Sequence, residues 1–329
     1  MTGTPKLMTE TPNLDLLSDV LRRVRLASAV FLRGEFTAPW AFESTDAATL
    51  CAVVRPGAKR LVLFHVVVQG KCRISIASGE SALAQAGDAL VLPYCDQHTM
   101  GYPDGTPPVP IAALFPMPPW KEMPVVRIAG GGEPTRILCG YLHCDDLLFN
   151  PLLKALPRLV HVRPTSPQAA QWRETSVRYV LEQSRRPGGA TLLNGLPELV
   201  LADCLRQHIA ELPESQGGWL GALKDPVLGR ALTLLHAQPE HGWTVEELAR
   251  RAAVSRSVLA ERFKQSLGVT PMRYLAQWRL QIAAELLRTS DLNLAVLAQR
   301  VGYESEAAFS RAFKRHLGVP PASWRERAS

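Results

Sequence analysis

One short pattern occurs twice near the C-terminal end of this 329-residue chain. Residues 252–271 read AAVSRSVLAERFKQSLGVTP, and residues 301–321 read VGYESEAAFSRAFKRHLGVPP. Phe263-Lys264 corresponds to Phe313-Lys314, Leu267-Gly268-Val269 to Leu317-Gly318-Val319, and Pro271 to Pro321, all at an offset of 50. Upstream, Leu248-Ala249 corresponds to Leu297-Ala298 at an offset of 49. The extra residue of the second copy therefore falls between these blocks, around Gly302-Tyr303-Glu304. A turn absorbs a one-residue insertion, whereas in a packed helix it would rotate every later side chain off its face. Each copy is predicted to be helix, short turn, helix.

Local signals agree. Ser305 can cap the second helix of the second copy, since its hydroxyl accepts from first-turn amides. Ala308, Phe309, Ala312, Phe313 and Leu317 then share one apolar face, and Gly318 supplies the left-handed stop. In the first copy Ser255 caps, Leu259, Phe263 and Leu267 point inward, and Gly268 stops. Thr244 and Glu247 stand at capping-box spacing before the preceding helix. The outward faces carry Arg256, Ser257, Ala260, Glu261 and Lys264 in one copy, and Glu306, Ala307, Ser310, Arg311, Lys314 and Arg315 in the other. A helical repeat that stacks on itself would predict further copies, but the chain carries two. It would also leave a small and basic outer face unexplained. The formal charge is +7, and residues 225–329 hold 15 Lys/Arg against 10 Asp/Glu. A basic excess there points to a polyanionic partner.

Residues 225–327 resemble the DNA-binding domain of the AraC/XylS family of bacterial transcription regulators. The stretch from Gly302 to Pro321 matches that family's signature almost position for position. The resemblance implies an all-α domain with two helix-turn-helix units, about 244–267 and 293–317, joined by a rigid connecting helix, about 271–288. Each unit would place its second helix in one of two successive major grooves of double-stranded promoter DNA. Arg256, Ser257, Ala260, Glu261, Glu306, Ala307, Ser310 and Arg311 would then face bases or nearby phosphates. Arg311 is the foremost base reader, because Arg pairs with guanine O6 and N7 in bidentate fashion. Lys264, Lys314 and Arg315 suit phosphate.

The front of the chain has another texture. Residues 1–12 read as a polar tail and 13–24 as a short amphipathic helix. Residues 36–128 alternate β-rich runs, such as 61–69, 74–77 and 88–93, with Gly and Pro turns, as in a β-sandwich or barrel. Gly130-Gly131-Gly132 reads as an exposed loop or boundary. Gly87, Pro93 and His98 fall at the spacing of the second cupin motif, with Cys95 where that motif has its second glycine. His65 keeps one histidine of the first motif, whose second His and Glu are missing. The resemblance implies a cupin-like β-barrel at 13–164 that senses a small molecule, a metal or an oxidant, giving an α+β two-domain chain. His65, Cys95, His98, Cys139, His143 and Cys144 are the effector or metal candidates. Imidazole and thiolate together suit zinc, and another divalent metal is open. The alternative is that the histidines are hydrogen-bonded barrel residues and the cysteines small buried hydrophobes.

From about 145 the pattern turns helical. Helices at 167–185 and 192–211 fall in a segment, 165–213, where the resemblance implies that two protomers pair. Trp172, Tyr179, Val180, Leu196, Leu199 and Leu205 would serve that role or an intrachain core. Residues 214–224 read as a linker. No apolar run reaches the ~18 residues of a membrane span, and the N-terminus lacks a signal core, so a cytoplasmic, nucleoid-associated protein is expected. The expectation is a non-enzymatic, homodimeric regulator with promoter DNA, RNA polymerase and an effector as partners. A metal-dependent cupin enzyme with a DNA-binding tail, and a thiol-based redox regulator, are the rival readings.

Overall fold

The computed structural model describes residues 26–58, 61–116, 123–144, 155–183, 196–213 and 218–326. They form two compact units, one of residues 26–144 with 156–211 and one of residues 212–326. The expected tail at 1–12, the helix at 13–24 and linker residues 214–217 lie outside the described residues.

The first unit is built on two sheets. Its strands are β1 (Leu26–Thr37), β2 (Trp40–Glu43), β3 (Leu61–Gln69), β4 (Lys71–Ile76), β5 (Ser81–Gln85), β6 (Ala89–Leu92), β7 (His98–Tyr102), β8 (Val109–Pro110), β9 (Val125–Ala129), β10 (Pro134–Cys144) and β11 (Val160–Val162). One sheet has the order β11-β6-β3-β10-β1-β9 and the other β5-β4-β7-β2-β8. Strand β4 alternates half-buried and buried positions, as a strand with one core face must. Between the sheets lie Phe36, Trp40, Phe42, Leu63, Ile74 and Met100, all buried. Phe36 and Trp40 stack with centroids 4.3 Å apart.

One sequence expectation is resolved here and one changes. The Gly130–Gly132 run joins β9 to β10 within one sheet, and the Gly130 and Gly131 amides both donate to Thr37 Oγ1 at 3.0 Å. It is the exposed loop of the two readings, tied to β1, and not a boundary. After residue 145 the chain still adds β11 beside β6. Three residues are too short a run to stand out against helical surroundings.

Helices α1 (Ala47–Val54), α2 (Pro167–Gln183) and α3 (Leu196–Glu211) complete this unit. The segment expected at 165–213 as a separate coupler packs onto the sheets through a buried arginine. Arg173 on α2 donates to the carbonyls of Gly87 (2.9 Å) and Val162 (3.3 Å) and to Asp203 on α3 (3.0 Å). Val180 and Leu205 are core, whereas Trp172, Tyr179 and Leu199 are exposed. Val180 and Leu205 thus take the intrachain role and the other three described side chains do not, with that of Leu196 outside the described residues.

The second unit is helical: α4 (Gly218–Lys224), α5 (Pro226–Ala237), α6 (Val245–Arg251), α7 (Arg256–Leu267), α8 (Pro271–Thr289), α9 (Leu294–Arg300), α10 (Glu306–Leu317) and α11 (Pro321–Glu326). It begins before residue 225, because α4 buries Trp219, whose indole donates to Tyr274 at 3.0 Å. The helix pairs α6–α7 and α9–α10 start and stop at offsets of 49 and 50. The extra residue lies in the second turn, 301–305 against 252–255, as the sequence offset required.

Candidate nucleic-acid interface and barrel cavity

The recognition helices are set by their caps. Ser255 accepts from the Val258 amide and Ser305 from the Ala308 amide. Gly268 and Gly318 end the helices at φ of +69° and +79°. Leu259, Phe263, Phe309 and Phe313 are fully buried, which fixes the roll of each helix. The opposite faces expose Arg256, Ser257, Glu261 and Lys264 on α7, and Glu306, Ala307, Arg311, Lys314 and Arg315 on α10; Ala260 and Ser310 are half-buried. Arg256 forms an exposed ion pair with Glu246 at 2.9 Å. Arg262, beside this face, is structural: it pairs with Asp225 at 2.9 Å. Thr244 caps α6, but the Glu247 side chain faces His241 (3.1 Å) and Arg251 (2.8 Å), so the reciprocal half of the expected capping box is replaced by ion pairs. The connecting helix α8 has 19 residues, a length of about 28 Å. Successive major grooves on one face of a duplex lie ~34 Å apart.

In the first unit a cavity of about 290 Å³ is lined by Leu32, Phe42, Leu63 and Cys139 from the strands, Thr49, Leu50 and Val53 from α1, and Ile111 and Phe115. His65 and His98 also line it, with ring centroids 5.0 Å apart. The His65 Nδ1 atom shares a 3.0 Å hydrogen bond with Cys139 Sγ. The His98 Nδ1 atom donates to the Asp96 carbonyl at 2.9 Å. A carbonyl only accepts, so the His98 proton sits on Nδ1 and Nε2 is a bare acceptor. Among the described residues neither Nε2 atom has a partner. Burial, and secondarily the neighbouring His98, holds His65 well below the ordinary imidazole range. Burial likewise takes His98 down to about 4. Both rings are neutral at pH 7.

The candidate metal set does not assemble among the described residues. Among the described residues no three His, Cys, Asp or Glu side chains are placed to hold a metal ion. The Cys139 thiol is buried and its pKa pushed upward by that burial. Its imidazole partner is His65, 74 residues earlier, in place of the sequence neighbour His143. Burial also raises Cys95 and Cys72 to about 12. Cys95 adopts φ = 56°, the left-handed conformation that explains a glycine at this motif position. The Cys144 side chain lies outside the described residues.

Comparison with known proteins extends this reading over most of the chain. Residues 15–210 match a cupin family model, and residues 248–327 a helix-turn-helix domain model. A protein of Streptomyces lividans named as an AraC-like transcription regulator is 38% identical over 277 residues, 83% of this chain and 89% of its own length. The chain belongs to the AraC/XylS family of transcription regulators. A second AraC-type relative, the helix-turn-helix transcriptional regulator AlkR of Acinetobacter baylyi, is 30% identical over 96% of this chain and all of its own length. Among solved structures, an AraC-type DNA-binding domain protein from Chromobacterium violaceum is 28% identical over 32% of this chain and 95% of its own, with a TM-score of 0.31.

For this AraC-type chain, the cupin match at 15–210 takes in α2 and α3 with the strands. Three structural features had no reading in the sequence. Helix α1 contributes a wall of the cavity, yet its short run Ala47–Val54 carries no helical period long enough to recognise. Arg173 is fully buried in a helix whose pattern looks amphipathic. Arg279 lies between buried Trp278 and Leu280 on α8, and that interruption of an apolar run was the available signal.

Proposed function

We propose that this protein reads double-stranded promoter DNA with the exposed faces of α7 and α10, and that a small uncharged molecule in the first unit's cavity alters that reading. The duplicated cap, buried Phe pair and glycine stop carry the first half. They hold two side-chain sets outward on one α8 frame. Arg311 is assigned to a base edge, with Lys264, Lys314 and Arg315 assigned to phosphates that fix register. RNA polymerase is the machinery such binding would influence.

The cavity supports the second half. Among the described residues its polar lining is hydroxyls, one thiol and two neutral imidazoles, without a charged group. Bringing an anion or cation there would cost several kcal/mol without a counter-charge. Its volume stands at the small end of ligand pockets, ~300–1,000 Å³. A compact, mainly apolar effector with one hydrogen-bonding group fits this chemistry. The effector acts only through unequal affinity for two states of the protein. Exposed Trp172, Tyr179 and Leu199 on α2 and α3 supply a surface through which two protomers can pair. Thermal-shift screening of neutral apolar compounds against their carboxylate counterparts tests the effector class. Neutral compounds should stabilise the wild type, and Leu50→Trp should abolish the shift while leaving DNA binding intact. Preferential stabilisation by carboxylates would refute the assignment.

A further inference from the structure

The connecting helix carries one guanidinium that reaches both helix-turn-helix units. Arg279 Nε donates to the Pro239 carbonyl at 2.6 Å and Nη2 to the His241 carbonyl at 2.8 Å. Its Nη1 donates to the Gly302 carbonyl at 2.9 Å. Pro239 and His241 belong to the loop that leads from α5 into α6. That loop is stitched to α6 in turn: His241 Nε2 meets the Glu247 carboxylate at 3.1 Å, Glu247 pairs with Arg251, and Arg251 lies 4.9 Å over the Trp243 ring. Gly302 belongs to the turn between α9 and α10, and its own amide is bonded to the Gln299 carbonyl at 2.9 Å.

We propose that Arg279 is a positioning residue that sets the spacing between the two recognition helices, and with it the number of base pairs between the two blocks of sequence the protein reads. One planar fork joins three carbonyls, two from the loop leading into the first helix-turn-helix and one from the turn of the second. A lysine ammonium is a single point donor and cannot reproduce that fork. Gly302 is matched to it. Its φ is +84°, and a Cβ there would stand 2.7 Å from the Arg279 Cζ and Nη2 atoms. The glycine thus serves the turn and also leaves room for the guanidinium against the backbone. The homologous turn of the first helix-turn-helix has Ala253 at this position. The second turn therefore lacks a Cβ where the clamp passes and the first turn keeps one.

Loosening the clamp leaves each recognition helix, with its cap and Phe anchors, unchanged. It frees the angle between them. Each added base pair moves a half-site by ~3.4 Å along the duplex, so angular freedom becomes tolerance of spacing. This inference rests on the DNA-reading function above, and its test separates the two. Full-length wild type and Arg279→Met are first selected on a randomised duplex library. Affinities are then measured on a series with one base pair added or removed between the two blocks. The wild type should lose about tenfold per step, the size of one ~1.4 kcal/mol defect. Arg279→Met should lose under about threefold, with the base preference inside each block unchanged. Gly302→Ala, which displaces the guanidinium without removing it, should also broaden spacing. Equal weakening at every spacing, with the wild-type preference kept, overturns the proposal and leaves the DNA reading intact. Absence of any two-block site for the wild type overturns both. Arg279→Lys replaces Arg279→Met if circular dichroism shows the latter unfolded, and unfolding of both overturns a spacing role.

Discussion

Acid should loosen the first unit through its two buried imidazoles. His98 has a folded pKa of about 4 against an ordinary 6.5. Below pH 6.5 the unfolded chain takes a proton that the folded chain refuses, so stability falls as pH falls. The loss begins near 6.5 and saturates near 4. At 1.36 kcal/mol per pH unit, that gap corresponds to about 3 kcal/mol when fully expressed. About 2 kcal/mol of it should appear between pH 7 and pH 5. His65, also held well below the ordinary range by burial, adds in the same direction. Hydrogen exchange read by mass spectrometry on peptides covering β3 and β7 measures this locally, after correction for the intrinsic pH dependence of exchange. Protection there should fall steeply from pH 7 to 5. In His98→Asn the side-chain amide can still donate to the Asp96 carbonyl but does not titrate. That variant should lose about 2 kcal/mol of the pH dependence. Equal protection at both pH values, or a full slope in His98→Asn, would refute neutral, desolvated imidazoles beside the cavity.

Ala253 holds φ = 59° in the first helix-turn-helix turn, so Ala253→Gly should stabilise the helical unit by about 1 kcal/mol in urea unfolding. Its counterpart, Gly302→Ala, should cost about 2 kcal/mol or more, from the left-handed backbone and the crowded Arg279 together. Arg173→Met would remove a donor from two carbonyls and from Asp203, which would keep only the Gln207 amide, and should cost about 3–5 kcal/mol, read as a lowered unfolding midpoint of the first unit. Native Cys72, Cys95 and Cys139, whose pKa values burial raises, should react with an aromatic disulfide reagent at pH 7.5 far more slowly than the urea-unfolded chain. Rapid native reaction at these positions would restore the redox-sensor reading.

The two units differed in how legible they were. In the helical unit the determinants are local: Ser caps, a Leu/Phe or Phe/Phe pair four residues apart, Gly stops, and a one-residue offset that could lie only in a turn. Periodicity reports such features directly, and the exposed faces of α7 and α10 follow from them. In the first unit the determinants are long-range. His65 meets Cys139 across neighbouring strands 74 residues apart, and no spacing rule links them. The motif position of His98 was legible, but its neutral state comes from burial by residues scattered through the fold. Arg173 and Arg279 were hidden for a related reason. Each looks like a surface arginine in sequence, and only the carbonyls that converge on it show its role.

The most direct test is selection of DNA sites from a randomised library by the full-length protein, comparing wild type with Arg311→Ala. The wild type should enrich one motif of two blocks about a helical turn apart. Arg311→Ala should blur one block, with a loss of about 1–3 kcal/mol confined to a base position, and leave the other sharp. No enriched motif, or binding that vanishes uniformly with modest salt, would contradict the assignment of α7 and α10 as sequence readers.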